Sequence, residues 1–251
     1  MCPQCLLSMG WILSGAISTG GMSALAMRII RARQKTTIQK GEMKMATAMS
    51  KRPAAKVVAS ADWLAARKEL LAKEKEFSRL RDELSRKRRE MPWERVEKQY
   101  VFEGPNGKEN LADLFQGSSQ LIIYHFMFGP TEEAGCPHCS LRADGFNGIG
   151  VHLNHRDVNM VVVSRAPYSK LAAYQKRMGW NFKWVSSGDS DFNFDYHVSF
   201  NPEEFAQKKA FYNFKIQDPQ APEREGHSVF YKDHSGAVFH CYSCYDRGTT
   251  C

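Results

Sequence analysis

The sequence predicts an α/β fold, a mixed sheet flanked by helices, on three observations. Eight consecutive residues, Leu121-Ile-Ile-Tyr-His-Phe-Met-Phe128, are rich in Ile and aromatics and closed by Gly129-Pro130, the pattern of a central buried strand. Asp157-Val-Asn-Met-Val-Val-Val163 repeats that pattern after a stretch of helical spacing, so strand, helix and strand follow one another and imply a parallel pair. The runs Ser228-Val-Phe-Tyr231 and Val238-Phe-His-Cys-Tyr242, joined by Asp233-His-Ser-Gly236, read as an antiparallel hairpin that makes the sheet mixed.

Between the first two strands lies Gly135-Cys136-Pro137-His138-Cys139. Cys139, Ala143, Phe146, Gly150 and Leu153 recur at helical spacing, which puts Cys139 on the core-facing stripe and Cys136 at the first turn. Pro137 suits the first helical position, where its missing N–H would have had no partner. A thiol at that place meets unpaired backbone N–H groups that favour the thiolate, and a second cysteine one turn on can resolve a mixed disulfide. His138 adds positive charge when protonated. Cys136 and Cys139 are therefore the candidate catalytic pair, with Pro137 and His138 in support. A CxxC beside a strand–helix–strand unit points to redox chemistry ahead of a buried structural pair or half of a zinc site.

The chain has 251 residues and a net charge of +8, unevenly distributed. Residues 1–90 carry 19 Lys/Arg against 8 Asp/Glu, and residues 91–251 carry 16 against 19. The globular part is thus slightly acidic and offers no basic groove for nucleic acid. Seven cysteines, six of them in the pairs Cys2/Cys5, Cys136/Cys139 and Cys241/Cys244, suit reactive or metal-binding thiols in a reducing compartment better than a secreted disulfide framework.

In chain order, residues 1–33 read as a transmembrane segment with basic residues behind it. Leu6 to Met27 carries no charge and is long enough to span a bilayer, and Arg28, Arg31 and Arg33 follow. The positive-inside rule then gives a single-pass inner-membrane protein with its domain in the cytoplasm. The competing expectation is translation from Met45 or Met49, which gives a cytoplasmic protein. Residues 34–59 form a polar basic linker. Residues 60–90 read as an amphipathic helix ended by Met91-Pro92, with Trp63, Leu70, Phe77 and Leu84 at seven-residue spacing. That stripe predicts docking on the globular domain or pairing in a homodimer. Residues 91–251 hold the sheet. Within them Glu97–Glu103 reads as a strand, Leu111–Phe115 as one helical turn and Tyr168–Met178 as a helix, while Trp184–His197 reads as a polar, aromatic-studded connection.

From about Ala61 to Gly248 the chain resembles the DUF899 family. The resemblance rests on Met91-Pro-Trp-Glu-Arg-Val96, Leu121 to Gly129, Gly135-Cys-Pro-His-Cys-Ser140, Val163-Ser-Arg-Ala-Pro167, Asp191-Phe-Asn193, His197-Val-Ser-Phe200, Ser228-Val-Phe-Tyr-Lys232 and Tyr242-Ser243. It implies a thioredoxin-like fold and a dithiol–disulfide oxidoreductase. Where the family tends to read Thr-Tyr-Ser-Thr-Tyr, this chain has Cys241-Tyr-Ser-Cys-Tyr245, and the family domain usually continues past Arg247-Gly248.

The expected function is thiol–disulfide exchange through Cys136 and Cys139 on a disulfide-bearing substrate, without a cofactor or a metal. Peroxide reduction by Cys136 is the alternative, since Pro130 and Thr131 precede it, though at a spacing unlike a peroxiredoxin's. A non-catalytic, membrane-tethered redox sensor or metal-binding module is the third reading. Zinc held by Cys136, Cys139, Cys241 and Cys244 is disfavoured by the hundred-residue gap, and a Thr-like structural role is favoured for Cys241 and Cys244. His152 and His155 are read as surface or capping residues.

Overall fold

The computed structural model describes residues 55–246. The proposed transmembrane segment, most of the linker and Cys2, Cys5 and Cys251 lie outside the described residues; among the described ones, no helix is long and apolar enough to cross a membrane. The chain divides into two units at Ala72/Lys73. Residues 55–72 of the first unit contain the opening turns of helix α1 (Ser60–Arg89), all without a buried side chain. The remainder of α1 begins the second unit and is likewise unburied. Along the seven-residue stripe Trp63, Leu70, Phe77 and Leu84 are all exposed. Charged side chains interleave the stripe, and i,i+4 pairs such as Arg86–Glu90 at 2.7 Å and Lys87–Glu83 at 3.0 Å brace the last turns.

The second unit is built on an eight-stranded sheet. Its centre is β4 (Gln120–His125), the apolar run that the sequence marks. β5 (Val158–Ser164) pairs with β4 in parallel, and β6 (Lys183–Ser186) extends the parallel set beyond β5. On the other side of β4, β9 (Gly226–Lys232) and β10 (Val238–Tyr245) are antiparallel. Three further short strands are not legible as such in the sequence, or lie displaced from where it puts them. They are β1 (Glu94–Arg95) on the edge of β10, and the β2 (Val101–Gly104)/β3 (Gly107–Asn110) hairpin beside β6. The full order is β1-β10-β9-β4-β5-β6-β2-β3, and β7 (Ala210–Tyr212) with β8 (Lys215–Gln217) forms a separate small hairpin. A strand, a helical crossover and a parallel strand, completed by an antiparallel hairpin, make the thioredoxin-like α/β arrangement that the sequence predicts.

Side chains alternate along β4, so each face of the sheet has its own core. Leu121 and Ile123 join Val161, Val163, Val185 and Phe230 on one face, under Phe192 and Tyr196. Phe192 belongs to the short helix α5 (Phe192–Asp195), inside a segment that reads from sequence as a connection. Tyr124 and Val162 face the other way and meet Trp184, Leu171 and Tyr174 beneath the crossover helices. One of these, α4 (Tyr168–Met178), has the bounds that the sequence predicts and is closed by Gly179 in the left-handed conformation.

β10 departs from the regular strand expected of it. Its register against β9 slips between His240 and Tyr242, leaving Cys241 as the extra residue of a bulge. His240 and Ser243, three apart, are thereby turned to one face and hydrogen bond at 2.8 Å. Ser243 bonds Ser228 at 2.9 Å, and Ser228 bonds the fully buried His125 at 2.9 Å.

Burial pushes the His125 imidazolium down to about 3, helped by the charges of His227 and His240; burial likewise takes His227 down to about 4. Both rings are neutral in the folded chain but take up a proton on unfolding below about pH 6.5, so the unfolded state binds more protons there. Their contribution to stability is complete above about pH 6.5 and declines as the pH falls towards their folded values. Urea unfolding should show a lower midpoint at pH 5 than at pH 7.5. The stability gap between wild type and His125→Gln should narrow over the same interval; a gap independent of pH would deny this account.

Candidate active site

The loop leaving β4 is tied down before it reaches the cysteines. Phe126 N–H donates to Val163 O at 2.9 Å, Ala166 N–H to Phe128 O at 2.8 Å, and Gly129 N–H to the Glu132 carboxylate at 2.7 Å. Lys170, on α4, reaches back to Glu132 O at 2.9 Å. Gly135 is required where it stands: a Cβ there would lie 2.6 Å from the Phe126 ring. The Cys136 N–H then donates to Met127 O at 3.0 Å, which folds the loop back over the end of β4.

Cys136 caps helix α2 (Pro137–Ala143), with Pro137 in the first turn as expected. The continuous helix that the stripe to Leu153 suggests is broken instead. A 3-10 turn (Asp144–Phe146) follows α2, and Gly148, at φ 80°, starts a separate helix α3 (Ile149–Asn154). Glycines at 145, 148 and 150 relieve the backbone of any helical preference there. Ser140 fastens α2: its hydroxyl donates to Cys136 O at 2.9 Å and shares a hydrogen bond with the Tyr174 hydroxyl at 3.0 Å.

The two sulfurs occupy different environments. Cys136 is half-buried and Cys139 is 2% exposed among Tyr124, Phe126 and Trp184. A hydrogen bond from the Cys139 thiol holds the Cys136 thiolate, and backbone N–H groups of Cys139 and His138 and the charge of the exposed His138 add to it. Against the cost of partial burial, these draw the Cys136 thiol down to about 5. The same hydrogen bond, together with burial, pushes Cys139 far above the ordinary thiol range. The pair holds one proton and one negative charge at neutral pH, with the charge on the accessible sulfur. The Tyr124 ring, in contact with Cys139 within the core, packs on His227 at 4.8 Å.

A cavity of about 400 Å³ opens beside Cys136, floored by Tyr124, Met127 and Cys139 and walled by Arg142 and Arg224. Its far wall, Gln220 to Glu225, is anchored by the buried Glu223, which accepts from Arg165 at 3.0 Å and from the Ser199 hydroxyl. Sequence reasoning misses Tyr124, Arg142, Arg224 and His227. A tyrosine or histidine in an otherwise apolar strand is the available signal for the first and last; nothing local marks the arginines.

Pro130 and Thr131 are exposed and do not line this cavity. His152 and His155 are exposed on and after α3. Among the described residues, no three of His, Cys, Asp and Glu are grouped as a metal would need, so the four thiolates of the zinc reading are not brought together. Cys241, at the bulge, is pushed up to about 11 by burial and is not paired with Cys244 in a disulfide.

Fold and site define a thioredoxin-like α/β protein with one accessible and one buried thiol at the end of its central strand. The chain belongs to the DUF899 family, described as bacterial proteins of unknown function, whose model matches residues 52–251. No curated protein matches the chain. Among solved structures, the peroxidoxin BcpB of Mycobacterium tuberculosis is similar at 13% identity and a TM-score of 0.41, over 60% of this chain and 82% of that one. Peroxiredoxin Q of Xanthomonas campestris is similar at 16% identity and a TM-score of 0.41, over 58% and 78%. The yeast mitochondrial 1-Cys peroxiredoxin is similar at 13% identity and a TM-score of 0.41, over 62% and 68%. Likenesses of this size say nothing about chemistry.

Alkylation by iodoacetamide, which consumes thiolate, should modify Cys136 with a half-maximal rate near pH 5 and leave Cys139 largely untouched in the folded chain. In Cys139→Ala the S–H donor is gone, and the profile should move to higher pH. An unmoved profile would show that the neighbouring thiol does not set the charge on Cys136.

Proposed function

We propose that this chain is a thiol–disulfide oxidoreductase in which Cys136 is the attacking thiol and Cys139 the resolving one. The observation that carries this reading is the division of places within one CxxC pair: a half-buried sulfur at the head of α2, facing the cavity, above a sulfur sealed in the core, an arrangement that favours the thiolate on the first. Neither a structural pair nor a metal half-site needs that asymmetry.

In the first step the Cys136 thiolate attacks one sulfur of a substrate disulfide. A bond forms between Cys136 and that sulfur, and the other substrate sulfur leaves as a thiolate. Cys136 is then no longer an acceptor for the Cys139 proton, and the constraint that held Cys139 protonated is relieved. Cys139 loses its proton to the departing thiolate and attacks Cys136 Sγ. The second substrate sulfur leaves as a thiolate and takes its proton from water. A Cys136–Cys139 disulfide remains for an external dithiol to reduce. The substrate has gained two electrons, one proton from Cys139 and one from solvent.

The same thiolate can attack a hydroperoxide oxygen, giving an alcohol and a Cys136 sulfenic acid that Cys139 condenses with loss of water. The two reactions are separated by the oxidant that is turned over. Supplied with a dithiol reductant, the wild-type chain should turn over a small disulfide such as oxidised glutathione faster than hydrogen peroxide or an organic hydroperoxide. Cys136→Ser should fall to the uncatalysed rate, and Cys139→Ser should accumulate a mixed disulfide on Cys136 that mass spectrometry detects. Exchange undiminished in Cys136→Ser would remove that residue from the mechanism, and faster peroxide turnover would make the chain a thiol peroxidase.

A further inference from the structure

On the sheet face opposite the cysteines, a second set of reactive side chains lies in a groove of about 820 Å³. Its floor is the bulged strand β10. Ser243 and His240, turned to one face by the bulge at Cys241, are joined by a 2.8 Å hydrogen bond between Ser243 Oγ and His240 Nε2. The other ring nitrogen of His240 lies 3.5 Å from the Glu94 carboxylate on β1, the strand paired with β10 at that residue. Tyr196 edge-on at 5.1 Å and Phe230 at 5.5 Å hold the imidazole plane.

A carboxylate can only accept, so Glu94, 3.5 Å from His240 Nδ1, favours the tautomer with the proton on Nδ1, in which Nε2 accepts from the Ser243 hydroxyl. Ser243 Oγ in turn accepts from Ser228, and Ser228 accepts from His125 Nε2. The nitrogen left over, His125 Nδ1, is then an unprotonated acceptor, and it is the one atom of the relay buried with no partner. An acid, a base and a hydroxyl in this order are the parts that activate a serine, recognised by geometry and not by fold.

We propose that Glu94, His240 and Ser243 form a second, thiol-independent active site that cleaves carboxylic esters by way of an acyl-serine. Ser243 Oγ attacks the ester carbonyl while its proton passes to His240 Nε2. Collapse of the tetrahedral adduct breaks the ester C–O bond, and the alcohol leaves with that proton. Water, deprotonated by the same imidazole, then attacks the acyl carbon, frees the acid and returns the proton to Ser243. No oxidant or reductant takes part. Tyr100, Tyr196, Phe211 and Phe214 line the groove around the triad, which suits an ester with an apolar or aromatic acyl group.

The test is active-site labelling of the full chain with an alkyl fluorophosphonate, which phosphonylates activated serines and expels fluoride. Peptide mass spectrometry should place the adduct on Ser243, and p-nitrophenyl butyrate hydrolysis should be lost in the labelled protein when Cys136 and Cys139 are first replaced by serine. Labelling should slow about tenfold or more in His240→Gln. Glu94 is 81% exposed at its side chain, so Glu94→Gln keeps the fold and should slow labelling through the ring tautomer alone. No adduct, an adduct at another residue, or equal labelling rates in wild type and both variants would overturn the proposal.

Discussion

β4 is hydrogen bonded along both edges, in parallel to β5 and antiparallel to β9, over its full length from Gln120 to His125. That double pairing is the constraint on which the rest of the structure depends. A strand fixed on both sides cannot slip by one residue without exchanging every side chain between two cores. Tyr124 is thereby committed to the face of the cysteines and His125 to the face of the Ser228–Ser243–His240 relay. The loop to Cys136 begins at a fixed point, and its first hydrogen bonds, from Phe126 and Ala166, continue the ladder with the β5 side. The place of the Cys136 thiol just beyond the carboxyl end of a central strand follows from this register.

The dithiol gains its character from the hydrogen bond between its sulfurs more than from its helix. α2 has only seven residues. What separates the sulfurs is a single S–H···S⁻ bond, which lowers Cys136 and raises Cys139, while burial raises both, Cys139 in the core and Cys136 beside the cavity. The loop is kept from relaxing by Gly135 against Phe126 and by Ser140 against Tyr174. The cavity wall is kept in place by a buried carboxylate, Glu223, paired with Arg165 and Ser199. A lone buried charge of that kind is costly, and here both of its oxygens are engaged.

Particular residues show how far sequence reasoning reaches. The run from Leu121 to Phe128 and the valines of β5 are readable because a strand buried on both faces is apolar at every position, not at alternate ones. Pro137 between two cysteines is readable as a helix start, since the proline constraint is local. Helix α2 and helix α3 read as one because hydrophobic spacing continues through the glycines at 145, 148 and 150. Periodicity records which side chains could share a face, and backbone conformation decides otherwise. α5 escapes notice because four residues carry no period, and Phe192 is helical only because the Leu121/Ile123 face must be covered. A regular strand would put Cys241 and Cys244 on opposite faces, and a bulge, which leaves no mark in composition, alters the count.

By itself the sequence determined what depends on neighbours along the chain: the central strands, the helix start at Pro137, the spacing of Cys136 and Cys139, and family membership. Tertiary structure alone decided that the two sulfurs share a hydrogen bond, which arginines wall the cavity, and that Glu94, separated from His240 by most of the domain, stands beside it. Those facts depend on desolvation and on distances between segments remote in sequence, and both exist only once the sheet has closed its two cores.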